Sequence, residues 1–185
     1  MTTLIDQVLP RYQFVERHEI TTHATAKALL DAITIPGTVD DPWARRFILI
    51  REIPARLMLM LGGKNALKNR PSFDFQNFTL LGRDDDREMV FGLIGQFWRA
   101  DYGQIPCDGP ETFTRFTQPN IPKLVINFGV KILANGQSRL TTETRVFCND
   151  RASQLRFLPY WWLIRPVSGL LRRRMLVRIC AAASI

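Results

Sequence analysis

Hydrophobic spacing along the chain alternates between strand and helix periods. Residues 11–20, RYQFVERHEI, alternate as an opening strand, with Tyr12, Phe14 and Ile20 set against Arg11, Glu16 and Glu19. HATAKALLDAI then takes helical spacing. Thr21 or Thr22 caps it, Ala26, Leu29, Leu30 and Ile33 form its apolar stripe, and Pro36-Gly37 ends it. Asp41-Pro42 opens a second short helix carrying Trp43, Phe47 and Ile50. Pro54 opens a third with Leu57, Met58 and Leu61 inward, stopped by Gly62-Gly63. From residue 72 the period is that of strands: FDFQNFTLL and REMVFGLIGQFWR flank GRDDD, the polar tip of a hairpin, with Met89, Phe91, Leu93 and Phe97 on one face. ETFTRF, KLVINFGVKIL and SRLTTETRVFC follow as further strands, the last two joined around Asn135-Gly136. Residues 151–185 return to helical spacing, interrupted by Pro159, Pro166 and Gly169.

Strands bunched together, rather than alternating with helices, predict an α+β fold. The expected architecture is a helix grip: a curved antiparallel sheet of about six to seven strands, short helices after the first strand, and a long C-terminal helix across the covered face. No linker, repeat or low-complexity tract divides residues 1–185, so a single domain is expected.

The hairpin around Asn135-Gly136 decides which side chains face inward. A two-residue turn would set Glu143 opposite Phe128 and Arg145 opposite Ile126, burying both charges. A three-residue loop, Ala134 to Gly136 with glycine in the left-handed position, sets Thr142 opposite Phe128, Thr144 opposite Ile126 and Val146 opposite Leu124. Burying an incompletely paired carboxylate or guanidinium costs several kcal/mol, against about 1–3 kcal/mol for a hydroxyl. The longer loop is therefore predicted. Its inner wall is Leu124, Ile126, Phe128, Val130, Leu140, Thr142, Thr144 and Val146, leaving Glu143 and Arg145 on a solvated outer face.

The stretches LLGRDDDREMVFGLIGQFWR, RLTTETRVFCNDRASQLRFLPYWWLIRP and SGLLRRRML resemble a group of bacterial proteins in the START-like superfamily, which includes Bet v 1 proteins, polyketide cyclases and lipid-transfer proteins. The resemblance covers most of residues 10–183. It implies a cavity between sheet and last helix that holds an apolar or amphipathic small molecule. It carries no catalytic residue across, because that group has no settled reaction.

Composition narrows the function classes. A chain that is 46% hydrophobic and 23% charged buries a real core. No apolar run is long enough for a membrane span, and MTTLIDQVLPRYQF does not read as a signal peptide, so a cytoplasmic protein is expected. Cys107, Cys148 and Cys180 are too few and too scattered for a disulfide framework and read as small core hydrophobes. Asp84-Asp85-Asp86 lacks the ligand alternation of a calcium loop, and His18 and His23 read as surface or capping residues. Gly62-Gly63-Lys64 is no P-loop, and Ser168-Gly169 is no nucleophile elbow. No catalytic residue, metal site or cofactor is assigned.

The ligand-lining candidates are Phe91, Leu93, Trp98, Ile126, Phe128, Thr142, Thr144, Tyr160 and Trp161. Three consecutive aromatics on a helix cannot share one direction, so at least one of Tyr160, Trp161 and Trp162 lies at a pocket mouth or on the surface. The net charge of +8 is concentrated: residues 151–185 hold seven arginines and no acid. Arg172, Arg173 and Arg174 thus offer a site for an anionic membrane surface, whereas no nucleic-acid-binding motif is present. The expected function is sequestration of a hydrophobic or amphipathic molecule. The rivals are a cyclase- or dehydratase-like enzyme in the same cavity, and a membrane-surface or partner-binding module using the arginine-rich helix. An enzyme needs a titratable group inside, and the register places the nearest candidates, Glu143 and Arg145, outside.

Overall fold

The computed structural model describes residues 2–39, 75–99 and 103–184. The helices expected from Asp41 and from Pro54, and the first residues of FDFQNFTLL, lie outside the described residues. The elements in chain order are α1 (Leu4–Val8), β1 (Phe14–Thr22), α2 (Ala26–Thr34), β2 (Thr79–Asp84), β3 (Glu88–Ile94), α3 (Pro110–Arg115), β4 (Lys123–Ile132), β5 (Ser138–Phe147) and α4 (Arg151–Ala182). The fold is α+β. Among the described residues its curved, open sheet is antiparallel throughout, has the order β1-β5-β4-β3-β2 and contains five strands rather than six to seven.

The missing strand is ETFTRF, which is helical. Gly109 stands at the N-cap of α3 and Pro110 occupies its first turn, a start signal that outweighs the local alternation. β1 also runs two residues further than expected, so the cap of α2 is Thr25, whose hydroxyl accepts from the Ala28 amide at 3.3 Å. The β2–β3 hairpin turns where the acid run predicts. Asp85 has a positive φ of 45°, and Arg87 and Arg83 pair with Asp84 at 2.8 Å and Asp86 at 3.4 Å.

The β4–β5 hairpin has the predicted register: Phe128 faces Thr142, Ile126 faces Thr144 and Leu124 faces Val146. Leu133 and Gln137 close a three-residue loop in which Gly136 takes φ +81°, a conformation an L side chain adopts only with strain. The inner face therefore carries Leu124, Ile126, Phe128, Leu140, Thr142, Thr144 and Val146, with Met89, Phe91 and Leu93 of β3 beside them.

The outer face is solvated only in part, where Val15, Arg17 and Glu19 of β1 are exposed; over the rest of the sheet it is covered, contrary to the expectation. α1 and α3 lie on it, and Ile5, Leu9, Leu81, Val90, Ile94, Phe113 and Val125 form a second core there. Gly92 makes that contact close: a Cβ on it would stand 2.5 Å from Leu81 and 2.8 Å from Phe113. Arg145 is buried under α1, where it bonds Glu143 at 2.6 Å, Asp6 at 2.8 Å and the Leu9 carbonyl at 3.2 Å. Burial opposes the charge, but the bonds to Glu143 and Asp6 more than offset it and raise the guanidinium pKa. Buried Glu88 completes the polar layer, accepting from the Leu4 and Ile5 amides at the start of α1 and from Asn127.

α4 is one helix of 32 residues, with Pro159 and Pro166 inside it. Each proline removes the amide that would bond the carbonyl four residues back, at Leu155 and Trp162. Both of those residues, 59% and 66% exposed, lie on the solvent side of the helix rather than against the core. The inward side of α4 packs Met175, Leu176 and Ile179 against Leu30, Ile33, Phe91, Phe128 and Leu140.

Candidate ligand-binding site

The inner face carries two apolar clusters with a polar belt between them. The first joins α2, the lower half of α4 and the sheet, with Phe75 edge-on to Phe91 at 4.8 Å and to Phe128 at 6.1 Å. The second centres on Phe157, which contacts Phe14 at 4.8 Å, Tyr160 at 5.6 Å, Trp161 at 5.9 Å and Trp98 at 6.5 Å, with Leu93 in the same cluster. Of the predicted lining residues, Phe91, Ile126 and Phe128 thus lie in the first cluster and Leu93, Trp98, Tyr160 and Trp161 in the second. Thr142 and Thr144 fall between the two. Trp162 points outward.

The belt is built across β1 and β5. Strand pairing sets Glu16 opposite Thr144 and His18 opposite Thr142, flanked by the Phe14–Val146 and Ile20–Leu140 pairs. Glu16 Oε1 lies 2.9 Å from His18 Nε2. A carboxylate oxygen can only accept, so the ring nitrogen donates and Nδ1 is left as the imidazole's second polar atom. Glu16, Thr142 and Thr144 are buried. Glu16 Oε2 and Thr142 Oγ1, both cut off from solvent, have no hydrogen-bond partner among the described residues.

α4 closes over this belt at Gly169. A Cβ there would stand 2.9 Å from Glu16 Oε1 and 3.4 Å from the His18 ring, so a larger residue would press on the Glu16 carboxylate and make it shift. One turn further on, Arg172 is half-buried and near enough to Glu16 to feel its charge. Burial pushes its guanidinium down to about 10, with the Glu16 carboxylate pulling the other way, and it remains charged at neutral pH. The notch thus combines one carboxylate, one imidazole, two hydroxyls and one guanidinium on an otherwise greasy surface. It can hold a polar group by hydrogen bonds to both donors and acceptors, and its imidazole–carboxylate contact can carry a proton.

Two expectations need correcting here. His18 is not a surface or capping residue, and the inner face does hold titratable groups, supplied by β1 rather than by Glu143 and Arg145. The missed signal is parity: Phe14, Glu16, His18 and Ile20 are alternate residues of one strand and share a face. Arg172, expected on the exposed basic surface, belongs to the notch instead. His23 is exposed as expected, with Nε2 3.0 Å from the Gln137 amide nitrogen.

A separate cavity of about 290 Å³ opens at the end of β3, lined by Thr79, Leu93, Gln104, Ile105 and Cys107 among others. It is not beneath α4. The cysteines are free, and burial pushes the Cys148 thiol up to about 12. Among the described residues, no group of His, Cys, Asp and Glu could hold a metal ion, and no helix is long and apolar enough to cross a membrane. Compared with protein-family models and with curated proteins, the chain finds no match in either.

Proposed function

We propose that this chain is a START-like helix-grip protein that binds a small amphipathic molecule against the inner face of its sheet, with the polar group seated in the Glu16–His18–Thr142–Thr144 belt. The supporting observation is the pair of buried atoms without a partner among the described residues, Glu16 Oε2 and Thr142 Oγ1, between two apolar clusters. Each unpaired polar atom costs about 1–3 kcal/mol. A guest that donates to the carboxylate and accepts from the hydroxyl removes both penalties. The apolar remainder of the guest adds about 25 cal/mol for each Å² removed from water. Glu16 Oε2 can only accept, so it favours a head group that donates, as a hydroxyl does and a carboxylate does not. Free, separated cysteines suit a reducing compartment such as the cytoplasm.

Displacement of an environment-sensitive naphthalene dye by a long-chain alcohol and by the matching fatty acid tests this directly. The alcohol is expected to compete and the acid to compete at least tenfold less well, with Glu16→Gln and Thr142→Val each weakening the alcohol about tenfold. No saturable displacement by either compound, together with empty protein in native mass spectrometry from its own host, would overturn the proposal.

The 2.9 Å contact of Glu16 with His18 favours a second reading, proton transfer to a bound substrate as in a dehydration or cyclisation. His18→Gln separates the two. An enzyme loses turnover with binding retained, whereas a carrier shows no turnover in either form.

A further inference from the structure

The outward side of α4 is unusually apolar for a surface. Leu155, Trp162, Leu163, Leu170 and Val177 are between 51% and 73% exposed. Leu163, Leu170 and Val177 repeat at intervals of seven, as do Leu155 and Trp162, so they form two neighbouring rows on one side of the helix. The stripe runs for about 33 Å at 1.5 Å per residue. Arg151, Arg165 and Arg173 are exposed on the same helix, and residues 151–185 contain no acid. Arg172 is not part of this surface, because it is half-buried near Glu16.

We propose that this side of α4 is a docking surface for an anionic lipid bilayer. Exposed leucines and a tryptophan enter the boundary between head groups and acyl chains, and the arginines meet the lipid phosphates. A second copy of this chain is a poor occupant, since it would bring arginine against arginine with no acid on the helix to pair them. Nucleic acid would leave the apolar rows unsatisfied. The proposal is independent of what the inner notch binds.

Flotation of the full chain with vesicles tests it. One set is phosphatidylcholine alone, and the other contains about one-third phosphatidylserine. The wild-type protein is expected to float with the anionic vesicles and stay behind with the neutral ones. Arg151→Gln/Arg165→Gln/Arg173→Gln should lower partitioning about a hundredfold, since each basic side chain near such a surface is worth roughly a fivefold change. Trp162→Ser/Leu163→Ser should lower it at least tenfold. Both sets of residues are exposed, so unchanged melting temperatures will confirm that the variants fold. Failure of the wild type to float, equal flotation with neutral vesicles, or flotation unchanged in both variants would each overturn the proposal. So would concentration-dependent dimerisation, or capture of an acidic protein, that depends on these residues while vesicles do not bind.

Discussion

Thr142 is a buried hydroxyl with no hydrogen-bond partner among the described residues, and that placement is costly. In the empty protein Thr142→Val removes an unsatisfied atom at nearly constant shape, and is expected to stabilise by about 1 kcal/mol, or about 2–4 °C in melting temperature. The same change should weaken the guest that the hydroxyl serves. Thermal unfolding of the empty protein beside the dye displacement assay reads both signs, and a destabilised Thr142→Val would mean that the hydroxyl already has a partner. The residue's inward position was legible from the sequence, because burying Glu143 or Arg145 in its stead costs more than burying a threonine. The same reasoning went wrong on the other face. Arg145 is buried there, but fully paired, and nothing in SRLTTETRVFC reveals that Asp6 and the Leu9 carbonyl will be its partners. Glu16 and His18 were legible by parity alone, yet their polarity argues against it. A polar pair on a core face looks like surface until its function is considered.

At the level of elements, the long last helix is readable from its composition, while its prolines read as breaks. They are tolerated because the residues whose carbonyls they strand, Leu155 and Trp162, lie on the solvent side of the helix, an orientation that spacing does not carry. Its start is better marked. The Asp150 carboxylate caps α4 by accepting from the Ser153 amide at 2.8 Å, and it also accepts from the Asn120 amide. These bonds, the Asn120 one foremost, hold its pKa below the ordinary aspartate value of 3.8. The unfolded chain therefore binds the proton more readily than the folded one. The stabilisation is complete above about pH 5 and is lost as the pH falls through the lowered native value. Asp150→Asn, which keeps an acceptor at the cap but does not titrate, is expected to flatten the decline of stability below pH 5. Urea unfolding at a series of pH values checks this, and parallel wild-type and variant curves would rule out the linkage.

Taken whole, the molecule is a sheet covered on its inner face and partly covered on its outer one, and the outer cover decides how firmly the inner face is held. α1 is only five residues long, too short to persist alone, so its place depends on Glu88 at its first amides and on Arg145 beneath its end. Breaking a buried ion pair by removing one partner costs more than the pair itself contributes, because the other charge is left behind. Arg145→Met is therefore expected to destabilise the protein by about 3 kcal/mol, since it leaves half-buried Glu143 and the Leu9 carbonyl unanswered. Asp6→Ala alone should cost less, because Asp6 has solvent on one side. The double variant should fall short of the sum of the two by about 1 kcal/mol, the signature of partners acting through one contact. Denaturant unfolding of all four proteins measures this. Strict additivity would mean that α1 is held by Ile5 and Leu9 burying their side chains, with the arginine a bystander. Coupling would mean that the Arg145–Asp6 contact itself helps to hold α1 against the outer face.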